Sequence, residues 1–217
     1  MELLPYTLDP IREPLIAVPD VANAAWPHWR SSVPTLINGT TKLRELRTSD
    51  SLSLLAMLTS KEVGKFISPL PATKAGFEEF IKGTLQERAA GQGVCFGIVP
   101  DGYDTPIGLF QIQIRNGRTP EWDCAMGSPF WGTGLFMEGA DAVLDFGFNG
   151  MGFDEIGARA VIENGRGNGA LRKAGAVCER IIPEGLIKNG EPLDQYYWTV
   201  YADRRTRKKI AWDAPSC

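Results

Sequence analysis

The spacing of apolar positions along the chain predicts its secondary structure. Short alternating or continuously apolar runs predict strands at 42–46, 94–99, 107–114, 121–127, 156–161 and 196–202. Apolar residues three or four positions apart predict helices after Asp50, over 73–91, over 135–148 and before Gly175. Asn116-Gly117 predicts a hairpin between the third and fourth strands. This order of elements is typical of an α/β (α+β) protein with a mixed sheet.

The two ends of the chain differ from its middle. Six of the fifteen prolines fall within residues 1–34, which predicts an extended arm (1–35) that packs on the body through Trp26 and Trp29. The basic cluster 204–209 predicts a solvated tail over 204–217. Residues 36–203 would then form one domain, as expected for a chain of 217 residues.

Composition excludes several classes of function. A net charge of −3 argues against nucleic acid as a partner, and no apolar run approaches the ~20 residues that span a membrane. Four cysteines without a CxxC pair fit a reducing cytosol, so we expect a cytoplasmic protein. The single histidine, His28, argues against a Ser-His-Asp mechanism and a His-rich metal site, and we expect no metal.

A glycine-rich turn, Gly127-Ser128-Pro129-Phe130-Trp131-Gly132-Thr133-Gly134, joins a predicted strand to a predicted helix. A helix start exposes unpaired N–H groups, and glycines let an anion approach them. The P-loop lysine is absent, and Met137 stands where the dinucleotide fingerprint needs a third glycine. The turn therefore indicates a pyrophosphate site of another kind or, alternatively, an ordinary tight turn.

A second glycine-rich turn spans Glu163 to Gly175 and contains glycines at three alternate positions, 165, 167 and 169. Interior helical glycine is unfavourable by ~1 kcal/mol relative to alanine. Close approach of a ligand, with Asn164, Arg166 and Asn168 as donors, would explain these glycines. A flexible surface loop is the alternative.

The chain resembles the GNAT acetyltransferases, and within them the ribosomal-protein-type (RimJ/RimL-like) N-acetyltransferases, over residues 40–203. Four segments carry the resemblance in the family's order: Leu43-Arg44-Glu45-Leu46 with Ser49-Asp50, Pro106-Ile107-Gly108-Leu109, Trp131-Gly132-Thr133-Gly134 with Glu138, and Asn164 with Leu171-Arg172-Lys173-Ala174-Gly175. The resemblance implies a mixed, mostly antiparallel sheet flanked by helices and splayed between its fourth and fifth strands (121–127 and 156–161), with acetyl-CoA in the split.

The resemblance also implies the contacts of acetyl-CoA. The pantetheine arm would pair with main chain near Ala125, Met126 and Gly127, and would meet Asn164. Asn168 and Lys173 would flank the cofactor on the following helix. The pyrophosphate would lie on the main-chain N–H groups of Trp131, Gly132, Thr133, Gly134 and Leu135. Pro129 replaces a Gln or Arg that is frequent in the family, which leaves main-chain binding unaffected.

The implied reaction is attack of an amine, from a small molecule or a protein N-terminus, on the acetyl thioester. Glu121 and Asp123 are candidate bases, although both would also suit a solvent-facing strand. Gly167 occupies a position where the branch often has a serine that serves the departing thiolate. Tyr197 or Tyr201 is then the candidate acid, and departure without an acid is the alternative.

Two other functions are compatible with these residues: a non-catalytic acyl-CoA-binding module and a nucleotide-dependent oxidoreductase. The failed dinucleotide fingerprint argues against the latter. The sequence allows a homodimer.

Overall fold

The core of the protein is a nine-stranded sheet. The computed structural model describes Trp26, residues 28–114 and 119–205, and the main chain of residues 211–213. The strands are β1 (Thr35–Asn38), β2 (Thr41–Glu45), β3 (Gly93–Pro100), β4 (Gly108–Gln113), β5 (Glu121–Met126), β6 (Glu155–Val161), β7 (Val177–Lys188), β8 (Glu191–Tyr201) and β9 (Ala211–Asp213). Their spatial order is β7-β8-β6-β5-β4-β3-β2-β1-β9, and every neighbouring pair is antiparallel except β5–β6.

Helices cover both faces of this sheet. They are α1 (Ser51–Leu58), α2 (Lys61–Gly64), α3 (Lys74–Ala89), α4 (Leu135–Asp145) and α5 (Gly165–Lys173). α1 and α3 pack on one face through Leu54, Leu58, Phe77 and Ile81, whereas α4 and α5 close a larger core on the other. Thr73 caps α3, as its position predicts, because its hydroxyl accepts the Gly76 N–H at 3.0 Å.

The sheet opens between β5 and β6. These two parallel strands pair only at Glu121 and Gly157, where the Gly157 N–H donates to the Pro120 carbonyl at 2.7 Å. Beyond this point neither strand supplies the other with a ladder partner among the described residues. The predicted fold class, including the split between these strands, is therefore confirmed.

Two hairpins extend the sheet beyond the prediction. β1 and β2 are joined at Asn38-Gly39-Thr40, and β7 and β8 at Asn189-Gly190, where both turn residues have positive φ (53° and 84°). Each site contains Asn-Gly, the strongest short hairpin signal. The expectations that regular structure begins at Lys42 and that the closing strand begins at Tyr196 were therefore wrong, although the signal was present.

The described residues at the two ends of the chain pack on the domain. Trp29 is buried in the larger core and Trp26 packs against that core. Arg205, predicted to lie in the solvated tail, forms an ion pair with Asp141 at 2.7 Å, and residues 211–213 pair with β1. Most of the predicted arm (1–25), the Asn116-Gly117 turn and most of the basic cluster lie outside the described residues.

One of the motifs behind the resemblance is a buried ion pair. Arg44 on β2 donates to both carboxylate oxygens of Asp50, at 2.8 and 2.9 Å, just before α1. Asp50 also accepts the Arg47 N–H at 2.8 Å. Because Asp50 is 2% exposed, removing either partner would leave an unpaired buried charge. This motif fixes the entry into α1 and lies outside the split.

Candidate active site

The first glycine-rich turn runs from the end of β5 into α4. Gly132 and Gly134 have φ of 80° and 94°, in the region that favours glycine, and Gly134 is the residue before the helix. No atom lies within 4 Å of where a Cβ would stand on either residue. The Thr133 hydroxyl donates to the Phe130 carbonyl at 2.7 Å, which closes the loop on its inner side. The glycines therefore leave an open surface over the start of α4.

This surface carries unused hydrogen-bond donors. Within the described part of the chain, no hydrogen bond uses the main-chain N–H groups of residues 132–136, and the first intrahelical bonds are those from Met137 and Glu138 to the Gly134 carbonyl. A helix start adds the positive end of its dipole to such groups. The turn has the properties of an anion site. Gly132, Thr133, Gly134 and Leu135 lie on it, whereas the N–H of Trp131, the fifth predicted donor, donates to the Ser128 carbonyl at 3.2 Å.

The second glycine-rich turn uses its own donors. Asn164 caps α5, with its Oδ1 accepting the Gly167 N–H at 2.9 Å. A Cβ on Gly167 would stand 2.5 Å from Asn164 Nδ2. The Asn164 side chain therefore packs directly against Gly167.

The side-chain amide of Asn168 also forms its hydrogen bonds within the protein. Its Nδ2 donates to the carbonyls of Val161 and Ile162 at 2.9 and 3.1 Å, and its Oδ1 accepts the Trp198 indole N–H at 3.1 Å. It is 6% exposed. These contacts tie α5 to β6 and β8, so Asn168 supports the site instead of offering its amide to a ligand.

A cation–π contact connects the two turns. The Arg166 guanidinium lies 4.5 Å from the centre of the Trp131 ring, and the Trp131 indole N–H donates to the Met126 carbonyl at 2.9 Å. Trp131 packs against the cores on both faces of the sheet. Arg166 is exposed in the first turn of α5, whereas the predicted Lys173 lies seven residues away, ~10 Å along the helix.

Main-chain groups of β5 alternate between its two edges. The Gly127 N–H donates to Ile107 of the β4 side, whereas the Pro120 carbonyl faces β6. Alternate residues share an edge, so Ala125 and Gly127 direct their main chain to β4, and Cys124 and Met126 direct theirs to the split. Of the three predicted pantetheine contacts only Met126 faces the split, and its carbonyl is taken by Trp131. Sequence reasoning missed Cys124.

The catalytic candidates meet on the α1–α3 face, where the split closes. Both Glu121 carboxylate oxygens accept from Arg159, at 2.9 to 3.1 Å. A Cβ on Gly157 would stand 2.4 Å from the Tyr197 hydroxyl oxygen and 3.4 Å from Glu121 Cγ, so these two side chains lie side by side over Gly157. Arg159 was missed, although it is the one charged residue in the small-residue run 156–161.

Tyr197 is held in its neutral form. Burial, followed by the charge of Glu121, raises the pKa of Tyr197 to about 12, against weaker opposite effects of Arg180 and Arg159. The Arg180 guanidinium lies 4.1 Å from the centre of its ring. Tyr201, the other acid candidate, donates its hydroxyl hydrogen to Glu179 at 3.0 Å and lies level with Glu155, away from Gly157. The structure places Tyr197, not Tyr201, beside Glu121.

Asp123 is the exposed carboxylate of this cluster. It shares the face of Glu121 and stands opposite Gln111 on β4. The neighbouring Cys124 has a thiol whose pKa is raised by burial and then by the charge of Asp123. Burial likewise raises the pKa of Cys95. Both thiols are protonated at neutral pH and are poor nucleophiles.

Glu138 has a role outside the turn that precedes it. Its Oε2 accepts from the Thr40 N–H and from the hydroxyls of Thr40 and Thr41, at 2.7 to 3.1 Å, and its carbonyl accepts from Asn38. This residue of the family motif therefore fastens the β1–β2 turn to α4.

The described residues contain no cluster of three or more His, Cys, Asp or Glu side chains that could hold a metal ion. Among the same residues, none of the helices has the length and apolar character needed to cross a membrane.

Comparison with known proteins assigns this arrangement to a family. Residues 41–177 match the model of the acetyltransferase (GNAT) domain. The Bacillus subtilis (strain 168) protein YoaA, named an uncharacterized N-acetyltransferase, is 22% identical over 168 residues, which cover 75% of this chain and 93% of YoaA.

Solved structures show the same fold. The ribosomal-protein-S5-alanine acetyltransferase of Vibrio fischeri superposes with a TM-score of 0.70 at 15% identity, covering 79% of this chain and 99% of that one. RimJ of Mycobacterium smegmatis, solved in complex with CoA-disulfide, gives 0.69 at 18% identity, covering 78% and 86%. At these identities the likeness shows the shared fold.

The chain belongs to the GNAT acetyltransferase family. It is an acyl-CoA-dependent N-acyltransferase that uses acetyl-CoA. The residues present fit this cofactor, because the open turn before α4 offers five unused N–H donors to a pyrophosphate and the split in the sheet leaves the edge of β5 unpaired.

Proposed function

We propose that this chain transfers the acetyl group of acetyl-CoA directly to a primary amine, from a small molecule or a protein N-terminus, within one ternary complex. The observation that carries the proposal is the juxtaposition of Glu121, Asp123 and Tyr197 on one face at the closed end of the split, adjoining a β5 edge without a ladder partner. Acetyl-CoA supplies the acetyl group in activated form as a thioester.

The cofactor would be held mainly by main chain. Residues 132–135 would bind the pyrophosphate through N–H groups, with Trp131 and Arg166 beside them. Cys124 and Met126 would offer main-chain groups to the pantetheine amides. Asn164 and Asn168 would shape this wall from α5, and Lys173 would add charge at its far end. A buried, water-poor split would strengthen these hydrogen bonds.

The residues on the α1–α3 face would accept the proton of the amine and donate a proton to the thiolate. The acceptor amine must lose a proton before or during attack, and Asp123, as the exposed carboxylate, would take it directly or through water. Arg159 occupies both oxygens of Glu121, so Glu121 would position Arg159 and Tyr197. Tyr197, kept neutral by its raised pKa, would donate a proton to the departing thiolate.

The protonated state of the buried thiols supports direct transfer. Cys124 is the thiol nearest in sequence to the catalytic carboxylates, and its raised pKa argues against a covalent acetyl-enzyme. Mass spectrometry after incubation with acetyl-CoA alone should therefore show no acetyl adduct on Cys124, and Cys124→Ala should retain activity. A competent acetyl-cysteine intermediate would contradict direct transfer.

The test of the function is CoA release from acetyl-CoA in the presence of a panel of primary amines and free-N-terminal peptides. We expect turnover with at least one acceptor, and a loss of about 10²-fold or more in kcat for Asp123→Asn and Tyr197→Phe. Binding of acetyl-CoA without turnover of any amine would instead support an acyl-CoA-binding module.

A further inference from the structure

Two arginines flank the Tyr197 side chain in the sheet. Tyr197 on β8 stands directly opposite Arg159 on β6 and Arg180 on β7, so the three side chains lie in a row on the α1–α3 face. The Arg180 guanidinium lies 4.1 Å from the centre of the Tyr197 ring, and the Arg159 guanidinium lies 5.8 Å from it. The phenol is 4% exposed, and it therefore meets a cation from each neighbouring strand.

The two arginines differ in their distance from the ring and in their ion pairing. Arg159 donates to both carboxylate oxygens of Glu121, at 2.9 to 3.1 Å, so that carboxylate balances its charge. Arg180 is an exposed residue, and its guanidinium lies closer to the ring than that of Arg159. Of the two cations, Arg180 is therefore the one in direct contact with the aromatic ring.

The position of Arg180 matters most when Tyr197 loses its proton. A cation beside an aromatic ring is attracted by the π electrons, and the attraction increases when the ring carries the negative charge of a phenolate. Burial and then the charge of Glu121 raise the pKa of Tyr197. Arg180 lowers this pKa, followed by Arg159, and Glu155 on β6 has the smallest effect, which raises it. Arg180 is thus the first group in the protein that stabilises the ionised phenol.

The same contact holds the ring in place. A Cβ on Gly157 would stand 2.4 Å from the Tyr197 hydroxyl oxygen, so the phenol lies over the residue at which β5 and β6 pair. A guanidinium packed against the ring restricts its movement away from this position. Arg180 therefore acts on the position of the hydroxyl and on the charge that forms there.

We propose that Arg180 is a positioning residue of the acetyl transfer, which stabilises the phenolate that forms when Tyr197 protonates the departing thiolate. In that step the Tyr197 O–H bond breaks and the S–H bond of CoA forms, so the negative charge moves from sulfur to the phenol beside Arg180. Asp123 releases the proton of the amine to solvent, and the phenolate regains a proton from solvent. This inference rests on the proposed function, because Arg180 acts through the acid assigned there.

The experiment measures kcat, and KM for acetyl-CoA and for the amine, in Arg180→Met and Arg180→Lys. Because Arg180 is exposed, both variants should fold like the wild type. Arg180→Met should lower kcat by about tenfold and leave both KM values within about twofold of the wild type. Arg180→Lys keeps a cation and should retain at least about a third of the wild-type kcat.

Two comparisons separate this role from a structural one. Arg172→Met is the matched control, because Arg172 is also exposed and lies 5.6 Å from the ring centre of Trp198, on the opposite face of β8. Its kcat should stay within about twofold of the wild type. In a Tyr197→Phe background, Arg180→Met should change kcat by less than about twofold, because the acid is gone. An equal loss of kcat in both backgrounds, or a change confined to the KM of the amine, would overturn the inference.

A titration tests the same contact without turnover. Fluorotyrosine in place of Tyr197 ionises at lower pH than tyrosine, and its fluorine NMR signal follows the ionisation. Arg180→Met should lower the acid dissociation constant of this phenol by about three- to tenfold, and Arg172→Met should leave it unchanged. An unchanged constant in Arg180→Met would overturn the inference and leave the proposed function intact. Failure of the wild type to acetylate any amine would reject the proposed function and this inference with it.

Discussion

The two glycine-rich turns look alike in sequence and differ in what their main-chain donors do. Before α4, where two glycines have positive φ, the N–H groups of residues 132–136 have no partners among the described residues. Before α5, the Asn164 side chain accepts the Gly167 N–H and packs directly against that glycine. A glycine-rich helix start is therefore evidence for an anion site only where its donors stay unused.

The largest expected effect tests this difference through Gly134. Gly134→Leu should lower the affinity for acetyl-CoA by at least about 100-fold, since a side chain would enter the open surface and the backbone would abandon φ of 94°. Gly175→Leu is the matched control, because Gly175 also has positive φ (85°) and no atom within 4 Å of a Cβ. Calorimetric titration with acetyl-CoA should give a much lower affinity for Gly134→Leu than for Gly175→Leu. Equal affinities of the two variants would contradict the proposed difference between the two turns.

The second turn should respond in stability. Asn168→Ala removes three hydrogen bonds, to the Val161 and Ile162 carbonyls and from the Trp198 indole N–H, so the free energy of unfolding should fall by about 2–4 kcal/mol. Asn164→Ala loses one cap bond and should cost about 1 kcal/mol. Urea unfolding measures both. A larger loss of stability in Asn164→Ala than in Asn168→Ala would show that the hydrogen bond between α5 and β8 is not the main contribution to the stability of this turn.

The pH dependence of stability tests the environment of Tyr197 on the catalytic face. The raised pKa of Tyr197 means that its neutral form stabilises the fold below pH 10 and that this contribution is lost as pH rises from 10 toward about 12. Unfolding measured from pH 9 to 11.5 should show this loss in the wild type and less of it in Tyr197→Phe. Tyr201→Phe is the comparison, because burial and the hydrogen bond to Glu179 raise the pKa of Tyr201 as well, and this variant should remove a smaller part of the loss. Identical pH profiles for the wild type and Tyr197→Phe would contradict the assignment of a neutral, buried phenol.

The smallest effect distinguishes the two cations of α5. Arg166, stacked on Trp131 at the open turn, should contribute to CoA affinity, and Arg166→Gln should weaken binding by about three- to tenfold at low salt. Lys173→Gln, at the other end of the helix, should change it by less than about twofold. A larger effect at Lys173 would place the cofactor's charged groups further along α5.

Local patterns predicted most of this fold, and pairing across the chain explains what they missed. The Thr73 cap, the strands from 94 to 127 and the turn before α4 follow from neighbouring residues. The β1–β2 and β7–β8 hairpins carried Asn-Gly signals that were not used. The role of Asn168 depends on Trp198, thirty residues away, and the Tyr197 environment depends on Glu121 and Arg159 from separate strands. No local pattern contains those contacts.

Thermal unfolding with acetyl-CoA, CoA, NADH and ATP tests the central claim most directly. At about 100 times its Kd, a ligand of the open turn and the split should stabilise the protein by about 2.7 kcal/mol, or roughly 5–10 °C in Tm. We predict this shift with acetyl-CoA and CoA, its absence with NADH and ATP, and its loss in Gly134→Leu but not in Gly175→Leu. No shift with either CoA ligand, or an equal shift with NADH, would contradict the account.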